Sequence, residues 1–202
     1  MVAKLVVSKW RATLMAPMTF VYNISMPFLF HLFLPGFKGP AFPAILVFYL
    51  MFSLSITLEM QNSSAISRLH LPVTTRQVVL GNYLFQVSLV VFAGLLSTVF
   101  VMIAPKGAFV SGIVPKACAM ALLLSGITTG LGNLMPRKGY QIMSMLVFMG
   151  LIVLTISGSD ASFLPWLSLP VAIGVSLAGF GLALTMSLFF PRRLYRRLAC
   201  LI

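Results

Sequence analysis

The chain has 202 residues, of which 60% are hydrophobic and only 8% are charged, and its formal net charge is +12. A soluble domain carries roughly a quarter charged residues, so this composition excludes an ordinary soluble protein. A nucleic-acid-binding protein places its Lys and Arg on a polar face. Here the long segments between the basic residues are almost wholly apolar. The composition therefore indicates an integral membrane protein with no nucleic-acid partner.

Six apolar runs are long enough to cross a bilayer, which requires about 20 mostly apolar residues. Because irregular backbone cannot face lipid, we expect an all-α bundle in a single transmembrane domain over residues 1–202. We expect Pro17 and Pro27 to bend the first span. The six predicted spans are residues 12–34, 42–60, 78–104, 117–135, 140–157 and 166–190.

The basic residues are divided unequally between the two ends of these spans. Three of them fall on one side: Lys38, Lys106 and Lys116. The other eleven share the opposite side with both termini: Lys4, Lys9, Arg11, Arg68, Arg76, Arg137, Lys138, Arg192, Arg193, Arg196 and Arg197. Because loops rich in Lys and Arg stay in the cytoplasm, both termini are predicted to be cytoplasmic.

Glycines at helical spacing mark the faces through which two spans are expected to pack, since small residues let helix backbones approach closely. Both faces are interpreted as contacts within one subunit. They consist of Gly126, Gly130 and Gly132 on the fourth span, and Gly174, Gly179 and Gly181 on the sixth.

The segment that joins spans two and three, residues 59–77, is the longest polar run in the chain. Residues 61–69 can form a short amphipathic helix that Pro72 should end. Thr74 and Gln77 then form a capping-box pattern that starts span three. This short cytoplasmic helix could rest on lipid headgroups, or it could dock onto a cytoplasmic partner.

The same segment contains, in order, Glu59, Arg68, Leu71-Pro72-Val73-Thr74 and Arg76 through Tyr83. At these positions it resembles the first intracellular loop of type-2 ATP-binding-cassette (ABC) exporter permeases, in particular the small bacterial permeases that pair with a separate ATPase chain. In that family an acid at the end of span two precedes a coupling helix, and a similar string of residues leads into span three. The basic, amphipathic start from Lys4 to Arg11 and six spans with cytoplasmic termini agree with the family.

The resemblance implies a permease subunit in the bacterial plasma (inner) membrane. A second copy or a related permease would complete the path, and two ATPase subunits would supply ATP and Mg²⁺ chemistry. Glu59 and Arg76 would brace the loop. The residues that would contact the ATPase are Ile66, Arg68, Leu69, His70 and Leu71. An apolar path suits an amphipathic or hydrophobic substrate such as a peptide, a lipid or a drug, and the resemblance points to peptide or antimicrobial export.

Two other classes of function remain open: a gradient-driven carrier or channel without an ATPase, and a non-transporting assembly subunit. A carrier usually needs ionisable groups inside the membrane, and Glu59 is the only acid close to it. The chain lacks a phosphate-binding Walker-A motif. Its two acids, two His and two Cys form no recognisable catalytic or metal-binding set. We therefore expect neither an enzyme active site nor a cofactor or metal on this chain.

The predicted orientation can be tested with single cysteines in the chain freed of Cys118 and Cys200. Cysteines near Arg68 and Arg137 should resist a membrane-impermeant thiol reagent in intact cells, because both positions are predicted to be cytoplasmic. A cysteine near Lys106 should react and serves as the positive control. Ready labelling near Arg68 would contradict the topology.

Overall fold

The computed structural model describes residues 2–15, 17–33, 41–65, 74–103, 112–134, 146–147, 150 and 168–189. Over these residues the chain is all α-helical, as predicted. The six helices whose bounds are described are α1 (Val2–Leu14), α2 (Pro17–Phe33), α3 (Phe42–Ala65), α4 (Thr75–Ile103), α5 (Ile113–Leu134) and α6 (Leu169–Phe189).

Three of the helices in the described part of the chain are long and apolar enough to cross a membrane, or four if α1 and α2 are taken as one bent span. In α3 the apolar stretch covers Phe42–Ser55. Several long apolar helices of this kind indicate a multi-pass membrane protein. The predicted fifth span, residues 140–157, lies almost entirely outside the described residues.

Helix α4 lies antiparallel to both α3 and α5. The Ser97 hydroxyl donates to the Pro43 carbonyl at 2.8 Å, while near the other end of α4 the Gln86 amide donates to Ser55 at 2.9 Å. On the α5 side, a Cβ built on Gly94 would lie 2.7 Å from Cys118 Sγ, while the Tyr83 hydroxyl, earlier in α4, donates to the carbonyl of Gly126, later in α5. The chain therefore reverses direction between consecutive helices, as the predicted spans two, three and four require.

One face of α4 carries large apolar side chains at helical spacing, and three other helices pack on it. Trp10 of α1 meets the rings of Phe85 and Phe92 edge to face, each with ring centroids 5.5 Å apart. Phe28 of α2 and Phe42 of α3 both contact the ring of Phe100. The stripe consists of Phe85, Leu89, Phe92, Leu96 and Phe100, and its members belong to or border the central apolar cluster.

The bend that the sequence predicts at Pro17 is a break between two helices. The axes of α1 and α2 differ by 80°, and residues 12–14 of the predicted span belong to α1. Pro17 is the first residue of α2, a position where the missing N–H of proline costs no helical hydrogen bond. Pro27 lies inside α2 without ending it. Pro17 therefore separates two helices, whereas Pro27 is accommodated within one.

Helix α3 extends beyond residue 60, the predicted end of the second span. The backbone is helical from Phe42 to Ala65 without interruption, so residues 61–65 continue the helix of the second span instead of beginning a separate one. The remainder of the predicted coupling helix lies outside the described residues.

Helices α5 and α6 run in the same direction and approach closely at glycines. A Cβ built on Gly126 would lie 2.8 Å from Cδ2 of Phe180 and 3.0 Å from its Cα, and one built on Gly179 would collide with Leu123. Each helix thus provides a glycine opposite a large side chain of the other. The parallel direction is the one expected if the chain crosses the membrane once between α5 and α6.

The glycine prediction is confirmed in part. Gly126, Gly130 and Gly179 face the contact between α5 and α6, and a Cβ on Gly130 would be 3.5 Å from that of Ala183. Gly174 and Gly181 do not face this contact, since among the described residues a Cβ at either would have nothing within 4 Å. Spacing alone therefore placed too many glycines on the contact face of α6. The surroundings of Gly132, the third predicted glycine of α5, lie outside the described part of the structure.

The close approach can be tested by Gly126→Ala, with Gly174→Ala as the matched control. We expect Gly126→Ala to lower the free energy of unfolding by about 1–3 kcal/mol, because the new methyl group must displace the Phe180 backbone. Gly174→Ala should be neutral or stabilising, since alanine favours a helix by about 1 kcal/mol over glycine. The measurement is denaturant or thermal unfolding in detergent. Equal stability of the two variants would contradict the observed packing.

Candidate functional site

The residues predicted to form the coupling loop fall into two groups. Ile66, Arg68, Leu69, His70 and Leu71, the predicted ATPase contacts, lie outside the described residues. Of the two predicted bracing residues, Glu59 lies in the last third of α3, and Arg76 lies exposed in the first turn of α4. Because α3 and α4 are antiparallel, the end of α3 and the start of α4 lie at the same end of the bundle.

The start of α4 is held by the capping box that the sequence predicts. The Thr74 N–H donates to Oε1 of Gln77 at 3.1 Å, and the Gln77 N–H donates to Oγ1 of Thr74 at 3.4 Å. These reciprocal bonds satisfy two backbone donors that have no partner within the helix. The prediction of the helix start is therefore confirmed, and α4 begins with a defined geometry directly after the loop.

Two turns into α4, Tyr83 joins three helices. Its hydroxyl lies 2.9 Å from the Ser187 hydroxyl of α6 and donates to the Gly126 carbonyl of α5 at 3.4 Å. Its ring packs edge to face on Phe180 with centroids 5.2 Å apart. The side chain is 2% exposed, so these hydrogen bonds are shielded from water.

On another side of α4, polar side chains of α1 are bound. Lys9 Nζ donates to Oδ1 of Asn82 at 2.5 Å and lies 5.4 Å from the centroid of the Phe85 ring. Trp10 Nε1 donates to the Ser88 hydroxyl at 2.9 Å. A charged group and an indole N–H, both poorly tolerated in an apolar bundle without partners, thus fix α1 against α4.

Gln86 connects α4 with α3 through the hydrogen bond to Ser55. The Gln86 side chain is 8% exposed, and its Oε1 has no hydrogen-bond partner among the described residues. A buried carbonyl of this kind carries a desolvation penalty of about 1–3 kcal/mol. The amide therefore links two helices while one of its atoms is left unsatisfied.

Asn82, Tyr83, Gln86 and Ser88 together connect the first four turns of α4 to α1, α3, α5 and α6. A displacement of the loop end of α4 would therefore be transmitted to four other helices. The sequence analysis missed these roles, although four polar side chains within seven residues of an apolar span were a usable signal. Within the described part of the chain, no group of three or more His, Cys, Asp or Glu side chains could hold a metal ion.

Comparison of the chain with known protein families, curated proteins and solved structures finds no match. The class of protein therefore rests on the helices themselves. The described residues define an α-helical bundle with several helices long enough to span a membrane.

The junction at Tyr83 can be tested by Tyr83→Phe, which keeps the ring on Phe180 and removes only the hydroxyl. We expect a loss of about 1 kcal/mol in the free energy of unfolding. Tyr22→Phe is the matched control, because the Tyr22 side chain is 54% exposed, and it should have little effect. The double variant with Ser187→Ala should lose less than the sum of the two single losses. Additive losses would show that the two hydroxyl groups do not interact.

Proposed function

We propose that the chain is the transmembrane permease subunit of an ATP-driven ABC exporter in the bacterial plasma membrane. The observation that supports this proposal most directly is the start of α4. The helix is capped immediately after the predicted coupling loop, and its first four turns are hydrogen-bonded to α1, α3, α5 and α6. This arrangement suits a helix that receives force at its cytoplasmic end and passes it to the bundle.

In the proposed mechanism, two permease subunits, identical or related, enclose a central path, and one ATPase binds the cytoplasmic side of each. The loop carrying Ile66, Arg68, Leu69, His70 and Leu71 inserts into a groove of the ATPase. ATP and Mg²⁺ are bound by the ATPase, whose closure moves the loop. Because α4 is capped at Thr74, the movement reaches Tyr83 and then α5 and α6 without being absorbed at a frayed helix end.

The proposed substrate is amphipathic or hydrophobic: a peptide, a lipid or a drug. Support comes from the composition, since the chain has two acidic residues in all, and a path lined by such a chain would offer few charged groups to a small ion. Antimicrobial or peptide export is the proposed biological setting.

The docking step can be tested with Leu69→Asp, which would put an unpaired charge into the proposed groove. Interface energy is usually concentrated in a few buried apolar anchors, so we expect co-purification of the ATPase to be lost, together with stimulation of ATP hydrolysis by the permease. Ser63→Ala, at the end of α3, is the control and should retain the ATPase. The candidate to be tested is any Walker-A ATPase that a neighbouring gene encodes.

Two outcomes of that pull-down would contradict the proposal. One is equal retention of the ATPase by the wild type and Leu69→Asp at equal expression, which would exclude docking through this loop. The other is retention by neither protein in mild detergent or nanodiscs, which would favour a gradient-driven carrier or a non-transporting subunit.

A further inference from the structure

The exposed face of α1 combines basic and apolar side chains in alternation. Lys4, Val7, Arg11 and Leu14 occupy one side of the helix, and all four are exposed, Val7 by 51% and Leu14 by 53%. Lys9 lies on the opposite side and Trp10 at the edge of the exposed side, and both are bound to α4. The side of α1 that is turned away from the bundle therefore carries basic and apolar side chains together.

Helix α1 lies obliquely on α4. Helix α2 follows α4, as Phe20 meets Phe92 and Phe28 meets Phe100, whereas α1 is inclined by 80° to α2. The contacts of α1 advance along α4: a Cβ on Gly81 would be 3.3 Å from that of Leu5, and Trp10 reaches Phe92. The first half of α1 therefore lies at the start of α4.

The length of α4 places the first half of α1 at the edge of the hydrocarbon. Its 29 residues extend about 43 Å, whereas the hydrocarbon core is about 30 Å thick. One end of α4 finishes in the exposed apolar side chains of Met102 and Ile103, which suit the hydrocarbon. The part of α4 that extends beyond the hydrocarbon is therefore the polar end that begins at Thr75. Counting about 20 residues back from Ile103 reaches Leu84, so the part of α1 that contacts Gly81 and Asn82 lies at the level of the lipid headgroups. An indole such as that of Trp10 is typical of this depth.

The chain has few carboxylates that could pair with Lys4 and Arg11, since it contains fourteen Lys and Arg but two acidic residues. Helix α1 itself contains no acidic residue. We propose that the exposed face of α1 binds anionic phospholipid headgroups. Lys4 and Arg11 contact phosphate oxygens, and Val7 and Leu14 lie in the acyl boundary below them. This binding does not depend on the proposed exporter function.

The test uses the fluorescence of Trp10 in the full chain with Trp166→Phe, reconstituted in bilayers. Brominated phosphatidylglycerol should quench Trp10 more strongly than brominated phosphatidylcholine, with a relative binding constant raised about fivefold for each basic residue. The preference should weaken as salt is added, since exposed charges are screened. Lys4→Gln with Arg11→Gln should bring the ratio close to one. The emission maximum should not change, because Trp10 stays packed on Phe85.

Lys116→Gln, in the first turns of α5 at the other end of the bundle, is the control and should keep the full preference. Two results would overturn the proposal. Equal quenching by both lipids in the parent protein would show that the exposed face of α1 does not prefer anionic lipid. A protein partner would then be the expected ligand of this face. An unchanged preference in the double variant would place the lipid contact elsewhere.

Discussion

In the hydrocarbon core of a membrane, a polar group that finds no partner in the protein finds no water either. This constraint explains why every element among the described residues is a helix, since a helix satisfies its own backbone. It also explains why the polar side chains of α4 decide the arrangement of the bundle. Tyr83, Gln86 and Ser97 each have to reach a neighbouring helix, and together they select α6, α3 and the start of α3 as neighbours.

The apolar contacts have a different role. Lipid tails are as apolar as leucine, so burial of apolar area does not by itself hold two spans together. Close packing does, and the contact between α5 and α6 shows how it is obtained. Phe180 lies against Gly126, and Leu123 lies against Gly179, so that each large side chain fills the space that a missing side chain leaves opposite. A single added methyl group at Gly126 would force the backbones apart.

Two features of the basic end of the bundle are connected through α4. The capped start of this helix follows directly on the predicted loop, and α1 contacts the same helix two turns later through Lys9 and Asn82. If the loop receives force from an ATPase, α1 is the nearest element that anchors α4 to the level of the headgroups. The proposed lipid contact and the proposed coupling would then act on the same end of one helix.

The sequence by itself determined the all-helical class, most of the helix bounds and the cap of α4. These depend on local properties: apolar runs of sufficient length, proline at particular positions, and the threonine and glutamine three residues apart. It also indicated Gly126 and Gly130 on the contact face of α5. The residues whose roles it did not reveal are those with partners far along the chain, such as Tyr83 with Ser187.

Only the tertiary structure decided which local possibilities were used. Pro17 and Pro27 have the same chemistry, but Pro17 lies between two helices whose axes differ by 80°. Pro27 lies within α2, which packs along α4. Gly179 and Gly181 are two residues apart, and only the first faces Leu123, because their side-chain directions differ by about 200° around the helix. Residue spacing defines the faces of a helix, but the choice among those faces depends on where distant helices lie.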